Sequence, residues 1–163
     1  IHIIIYMERI QKQIKDTYHK AFFDLLEQKV HEEPPDYDWI SKLYLEIRIK
    51  LTKLLKSSST LRIEIEEKMD PTIFNQMMRN NAFNGTDLFN LISYVFDKIK
   101  QLGSPARDQN TDDKKNEIFH LMKNNGTFAQ IVPLFFKNSN ICIDLVYEDM
   151  NNLSKKFSQS PNS

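Results

Sequence analysis

Charged side chains that could do chemistry are concentrated in two short stretches of this 163-residue chain. The first is LRIEIEEKMD at Leu61 to Asp70, and the second is PARD at Pro105 to Asp108. A carboxylate pair such as Glu64 and Glu67 could in principle act as a general acid and a general base. The neighbouring arginine and lysine keep both carboxylates ionised, and no nucleophile or cleft signal accompanies them. The sequence therefore predicts no catalytic residue.

Six side chains from the two stretches make up what we call the charged framework: Arg62, Glu64, Glu66, Glu67, Arg107 and Asp108. They could line a polar groove that binds a partner protein, or they could form ion pairs within the domain. The second interpretation is favoured, because arginine forms bidentate pairs with carboxylates where a turn must be fixed to a helix. We therefore expect Arg107 to return to the third helix and pair with one of its glutamates, although the sequence does not indicate which.

The other reactive residue types offer no metal or cofactor site. The four histidines lack the spacing of metal ligands, and no HExxH motif is present: they are His2, His19, His31 and His120. The single cysteine, Cys142, excludes an intramolecular disulfide and a multi-thiolate metal site. It lies between Ile141 and Ile143, which predicts a small buried apolar side chain rather than a nucleophile.

Composition narrows the class of protein. The 22 basic and 22 acidic residues cancel, so the chain as a whole is not attracted to nucleic acid or to an anionic membrane. The lysine-containing stretches Lys50 to Lys56 and Lys114 to Lys123 are interpreted as solvated helix faces. No apolar run approaches the roughly 18 residues that span a bilayer. With only three glycines and a length suited to one domain, the chain is expected to be helical.

Helical spacing is clearest in the first third of the chain. A stripe of apolar residues predicts a long helix that ends near His31: Met7, Ile10, Ile14, Tyr18, Ala21 and Leu25. Pro34 and Pro35 stop that helix, and Asp36 is a suitable N-cap for the next one. The stripe from Ile40 to Leu54 resembles a kinase-anchoring helix, but stripes of this spacing usually form core, and core is our prediction.

The segment from Leu61 to Met69 carries two conflicting patterns. Its apolar residues alternate with period two, as in a half-buried strand, but a Ser/Thr cap precedes it and no partner strand is evident. We therefore predict a helix, which brings Arg62 within reach of Glu66 four residues later. Asp70 and Pro71 mark the start of a further helix.

The helical pattern of the sequence is less regular in the second half of the chain. A turn at Asn84-Gly85 should precede the most apolar helix, capped by Thr86 or Asp87, which we expect to be a core helix. The polar stretch Gln109 to Lys115 predicts a mobile loop before a helix near Glu117 to Lys123. Pro133 should kink or break the chain before a last helix from about Ser139 to Phe157.

The predicted fold is therefore all-α, a single irregular bundle of six to seven helices. Residues 7–157 form the domain, residues 1–6 are an N-terminal extension, and residues 158–163 are a disordered tail.

Four motifs in order resemble the T-complex protein 11 family. They are PPDY at 34–37, LRIEIEEKMD at 61–70, PARD at 105–108 and VYED at 146–149. The resemblance covers most of the chain, and it departs from the family pattern at Lys68, where an apolar residue is usual. It implies an all-helical, non-enzymatic protein that is linked, in the better-studied relatives, to cAMP and protein kinase A signalling.

The functional expectation is an adaptor or regulatory protein in the cytoplasm that binds protein partners, among them components of the protein kinase A pathway. We expect no catalytic, cofactor or metal site in this chain. The alternative is a helical accessory module for nucleic acid or a membrane surface, and a third possibility is an unrecognised hydrolase. The sequence indicates neither the identity of the partner nor the oligomeric state.

Overall fold

The computed structural model describes residues 1–80 and 85–158. The predicted turn at Asn84 lies outside the described residues. So does the predicted tail, except for Ser158, which is the last residue of the final helix.

The described residues form seven α-helices and one 3₁₀ turn and contain no strand, which confirms the all-α fold. The helices are α1 (His2–His31), α2 (Tyr37–Thr52), α3 (Thr60–Lys68), α4 (Pro71–Arg79), α5 (Gly85–Leu102), α6 (Asp108–Lys123) and α7 (Phe128–Ser158), and the 3₁₀ turn Pro105–Arg107 lies between α5 and α6.

Local capping explains where three of these helices begin. The Asp36 carboxylate accepts a hydrogen bond from the Trp39 backbone N–H at 3.1 Å, at the start of α2. The Ser59 hydroxyl caps α3, and the Asp70 carboxylate caps α4 with Pro71 in its first turn. Since each cap satisfies backbone N–H groups that have no partner within the helix, short-range sequence signals suffice to place these starts.

The mobile loop predicted over Gln109 to Lys115 is wrong, because α6 begins at Asp108 and includes the whole stretch. Thr111 is buried against the domain, and the Asp112 carboxylate accepts a hydrogen bond from Lys100 Nζ of α5 at 3.0 Å. Tertiary contacts thus hold a polar segment in a helix that its own hydrophobic pattern does not predict.

The break predicted at Pro133 is also wrong, because α7 runs without interruption from Phe128 to Ser158. Proline removes one backbone hydrogen bond, and here that loss falls in the second turn of a long helix. Pro133 is buried, and so are Ile131 and Phe135 on either side of it. We infer that burial of these apolar side chains, on two sides of the helix, offsets the missing hydrogen bond.

Helices α2 and α7 occupy the centre of the bundle. Helix α2 packs against α1, α3, α4, α5 and α7, and α7 packs against α1, α2, α5 and α6. The α2 stripe is core, as predicted, since Ile40, Ile47 and Leu51 are fully buried. Helix α5 contributes a third face to the same core through five buried side chains: Leu88, Ile92, Val95, Phe96 and Ile99.

Helix α1 differs from the others because only its last turns join the core. Leu26 and Val30 are buried, whereas every residue from 1 to 18 is exposed. Residues 2–6 belong to the same helix as the residues that follow, so no break separates the predicted extension from α1. The helix lies beside α7 and runs in the opposite direction, since His19 lies near Asp144 and Phe23 near Lys137.

Candidate functional site

The structure divides the charged framework into three separate sets of contacts. The first stays within α3 and the loop before it. Arg62 Nε donates to Glu66 Oε1 at 3.1 Å, as the four-residue spacing predicts. Its Nη1 donates to the Leu55 carbonyl at 3.2 Å. These contacts join the start of α3 to the loop after α2, and they leave Arg62 committed to partners within the domain.

The second set joins α3 to α5. One carboxylate oxygen of Glu64 accepts hydrogen bonds from Lys98 Nζ and from the Tyr94 hydroxyl, each at 3.0 Å. The hydrogen bond from Lys98, followed by that from Tyr94, lowers the pKa of Glu64. Burial and the bond to Glu64 raise the pKa of Tyr94. Both shifts move the pKa values away from neutrality, whereas a general acid or base works best when its pKa lies near the working pH.

The Tyr94 ring also gives Lys68 a partner, at a position where the family pattern usually has an apolar residue. The Nζ atoms of Lys68 and Lys98 lie 5.3 and 5.1 Å from the centre of the Tyr94 ring. Both distances are within the range of a cation–π contact. A cation at position 68 thus has a partner on α5 that the sequence pattern of α3 does not reveal.

The third set overturns the predicted return of Arg107 to α3. Arg107 Nε and Nη2 donate to the two carboxylate oxygens of Asp149 in α7, at 3.0 and 2.8 Å. This hydrogen bonding holds the pKa of Asp149 below its ordinary value. The 3₁₀ turn follows α5 directly and packs against α6, which places Arg107 beside the C-terminal half of α7 rather than beside α3.

The side chains of the remaining two framework residues form no hydrogen bond or ion pair with Arg107. Asp108 is the first residue of α6, where a carboxylate interacts favourably with the helix dipole. Glu67 is exposed on α3. The framework is therefore not one patch of side chains, and a partner-binding role for it stays a prediction.

Sequence reasoning missed a polar contact between α6 and α7. The Asn138 side chain is almost fully buried, and its Nδ2 donates to the Lys114 carbonyl at 2.8 Å and to Glu117 Oε2 at 3.0 Å. These bonds pair a polar group that would otherwise be costly to bury. An asparagine within the apolar run of α7 was the available signal for this contact. Nearby Cys142 is buried, as predicted, and burial raises the pKa of its thiol.

The VYED motif joins α7 to a second element. The Tyr147 hydroxyl donates to the Lys50 carbonyl in α2 at 2.6 Å, and Lys50 Nζ donates to Asn140 Oδ1 at 2.9 Å. Tyr147 and Asp149 thus fix the same stretch of α7 to α2 and to the 3₁₀ turn. These motif residues have structural partners within the domain.

The lysine-containing stretches have partners as well. Lys114 Nζ lies 3.3 Å from Glu117, and Lys115 Nζ lies 3.6 Å from Asp112. Over the described ranges 1–80 and 85–158, no group of three or more His, Cys, Asp or Glu side chains could hold a metal ion. None of the helices in those ranges combines the length and the apolar character needed to cross a membrane.

An open groove lies between α1, α6 and α7, and we call it the α1–α6–α7 groove. It encloses about 430 Å³ and is lined by Phe23, Glu27, His31, Leu121, Ala129, Gln130, Pro133, Leu134 and Lys137. The lining combines apolar and polar side chains. Lys137 Nζ lies 5.7 Å from the centre of the Phe23 ring. Such a groove can accept a few apolar side chains and hydrogen-bond to the polar groups beside them.

Comparison with known proteins gives one consistent result. The family model described as T-complex protein 11 matches residues 5–153. A human T-complex protein 11 homolog is 32% identical over 108 residues, which are 66% of this chain and 21% of the human protein. T-complex protein 11 of the mouse is 30% identical over 101 residues, which are 61% of this chain and 17% of the mouse protein. The chain thus spans about a fifth of the length of these relatives. No solved structure matches.

Proposed function

Because the chain belongs to the T-complex protein 11 family, we propose that it is a non-enzymatic adaptor or regulatory module in the cytoplasm that binds other proteins. Components of the cAMP and protein kinase A pathway are the proposed partners. The link to that pathway rests on the family resemblance alone, and it is the part of the proposal that most needs a direct experiment.

The observation that carries the binding role is the α1–α6–α7 groove. Its apolar floor suits the anchor side chains of an amphipathic helix, and its polar residues suit the rim of a protein interface. Helix α2 does not suit this role, because the stripe that resembles a kinase-anchoring helix is buried in the core. A partner must therefore bind a different surface, and the groove offers both apolar area and polar partners.

Affinity capture from native cells, followed by mass spectrometry, tests the proposal. We expect the wild-type chain to recover protein kinase A subunits or their anchoring proteins. The variant Ala129→Arg places a cation in the groove and should reduce that recovery about tenfold or more, as loss of roughly 1.4 kcal/mol of binding free energy would.

The matched control is Thr72→Arg, which adds the same cation at an exposed position of α4, away from the groove. Recovery should be unchanged. Circular dichroism must show that both variants remain folded. Recovery of ribosomal and nucleic-acid-binding proteins alone, insensitive to Ala129→Arg, would contradict the proposal and favour the nucleic-acid alternative.

A further inference from the structure

Over most of its length, α1 has an apolar stripe that the described residues 1–80 and 85–158 leave exposed. It consists of seven side chains on one face of the helix: Ile3, Met7, Ile10, Ile14, Tyr18, Ala21 and Leu25. At about 100° per residue, these positions fall within roughly 80° of each other around the helix axis. Ile14 is 64% exposed and Tyr18 is 69% exposed.

The side chains that join α1 to the core lie on a different face. Leu26 and Val30 are buried, and they point roughly 120° and 160° away from the centre of the stripe. The stripe and the core contact are therefore separate, and α1 can keep its place in the domain while the stripe packs against something else. A helix segment without tertiary packing is only marginally stable in water, so covering the stripe would stabilise it.

The spacing of the stripe indicates what can cover it. Successive positions are 4, 3, 4, 4, 3 and 4 residues apart, and this order is the same when read from either end. Ile14 is the centre. If a second α1 lies antiparallel, Ile3 faces Leu25 of the partner and Ile14 faces itself. Ile10 then faces a partner Tyr18, and the small Ala21 leaves room for a partner Met7.

We propose that α1 forms a symmetric antiparallel helix pair with α1 of a second copy of this chain, centred on Ile14. A two-fold axis requires one surface that is complementary to itself, and the palindromic spacing provides it. The spacing also repeats every 11 residues, or about 3.67 per turn, which keeps the seam on one face when the two helices supercoil slightly with a right-handed twist. Contact can therefore extend over the whole stripe.

Charge favours a protein partner over a membrane surface. The residues that flank the middle of the stripe most closely are Gln11 and Thr17, neither of which is charged. Two identical faces can approach there without like-charge repulsion. A helix that lies on a membrane surface typically has lysine or arginine on its polar face in excess over acidic residues, whereas Glu8, Asp16 and Asp24 offset most of the basic residues of this segment.

The area is sufficient for a weak but specific dimer. If six large apolar side chains each bury on average roughly 80 Å² of accessible surface, they contribute about 500 Å² per copy, or about 1,000 Å² for the pair. This is the lower limit for a specific interface. We therefore expect a dimer that dissociates on dilution rather than an obligate one.

Sedimentation velocity over about 1 to 100 µM protein tests the pairing. The wild-type chain should shift from monomer to dimer within that range, and Ile14→Lys should remain a monomer because it brings two cations together at the axis. The control Asp16→Lys places a lysine on the opposite, exposed face of α1, with a charge change of +2 instead of +1, and should dimerise like the wild type. A wild-type chain that is a monomer throughout, or an Ile14→Lys variant that still dimerises, would overturn the proposal.

Disulfide trapping tests the direction of the helices. Ile14→Cys should form a disulfide-linked dimer because each residue 14 meets its counterpart at the axis. Ile3→Cys alone should not, but a mixture of Ile3→Cys and Leu25→Cys should form a mixed dimer. The native Cys142 is buried and should not compete. Efficient disulfide formation between two copies of the Ile3→Cys variant would indicate parallel helices and contradict the antiparallel pair.

The dimer and the partner groove are independent proposals. Ala129→Arg in the groove should leave the sedimentation of the chain unchanged, and Ile14→Lys should leave partner capture by the groove in place. A result that overturns the dimer therefore leaves the partner groove untouched, and the reverse also holds.

Discussion

Arg107 and Asp149 form a two-point ion pair across 42 residues of chain, with Nε and Nη2 of the arginine donating to both carboxylate oxygens. The pair connects the PARD and VYED motifs, which the sequence presents as separate features. It fixes α7 to the turn between α5 and α6. Two residues earlier, Tyr147 donates to the Lys50 carbonyl and fixes the same part of α7 to α2. These motifs therefore hold the centre of the bundle together.

Loss of the Arg107 pair should lower the melting temperature. Arg107→Ala and Asp149→Ala should each reduce it, and the double variant should lose less than the sum of the two, because one shared interaction is removed. Arg107→Lys should be intermediate, since lysine keeps the charge but cannot form the two-point contact. Thermal denaturation followed by circular dichroism measures all four. An Arg107→Ala variant with unchanged stability but lost partner capture would instead indicate a binding site.

Acid should destabilise the fold through its paired carboxylates. Hydrogen bonds from Arg107, Lys100 and Lys98 lower the pKa values of Asp149, Asp112 and Glu64 in the folded state. The unfolded chain then binds protons more readily than the folded one. The stabilisation from these ionised carboxylates is complete above their ordinary pKa values, 3.8 for aspartate and 4.5 for glutamate. It is lost as the pH falls through their lower pKa values in the folded state.

Thermal melts between pH 7 and pH 2 check this dependence. The melting temperature should change little from these carboxylates down to about pH 5 and then fall. Asp149→Asn should melt lower than the wild type at pH 7, and the difference should narrow in acid. A constant difference across the whole range would contradict a stabilising role for the ionised Asp149.

Gly126 should be intolerant of a side chain. Its N–H donates to the Leu121 carbonyl at 2.9 Å and closes the C-terminus of α6. A Cβ atom at this position would lie 2.7 Å from Leu121 Cγ and 2.8 Å from Leu121 O. Gly126→Ala should therefore cost about 1–3 kcal/mol of unfolding free energy. Asn125, with φ of 60°, has the left-handed conformation, so Asn125→Gly should be neutral or slightly stabilising. Urea denaturation of both variants distinguishes the two positions.

Neighbouring leucines on α1 should differ sharply in their effect on folding. Leu26 is fully buried in the core, whereas Leu25 belongs to the exposed stripe. Leu26→Ala should cost about 2–5 kcal/mol of unfolding free energy. Leu25→Ala should change it by less than about 0.5 kcal/mol when measured at a concentration that keeps the chain monomeric. Equal effects of the two substitutions would mean that the stripe, too, packs within the domain.

Much of the helical framework could be predicted because its signals are local. The caps at Asp36 and Asp70 lie within three residues of the N–H groups that they bind, and Arg62 lies one turn from Glu66. The stretch Gln109 to Lys115 was missed for the opposite reason. Its helix depends on burial of Thr111 and on the contact between Asp112 and Lys100, which come from the packing of α6. The continuity of α7 through Pro133 likewise depends on contacts outside the segment.

The sequence by itself determined the helical class, most helix boundaries in the first half of the chain and the family resemblance, because periodicity and capping act over a few residues. Only the tertiary structure decided which carboxylate Arg107 meets. Several acidic side chains could match its charge equally well, and the choice of Asp149 depends on where α5 and α7 end up in space. Tertiary structure also decided which apolar faces are covered. Periodicity identifies the stripe from Met7 to Leu25, but whether a stripe is buried depends on the elements packed against it, and the described domain leaves this one exposed to water.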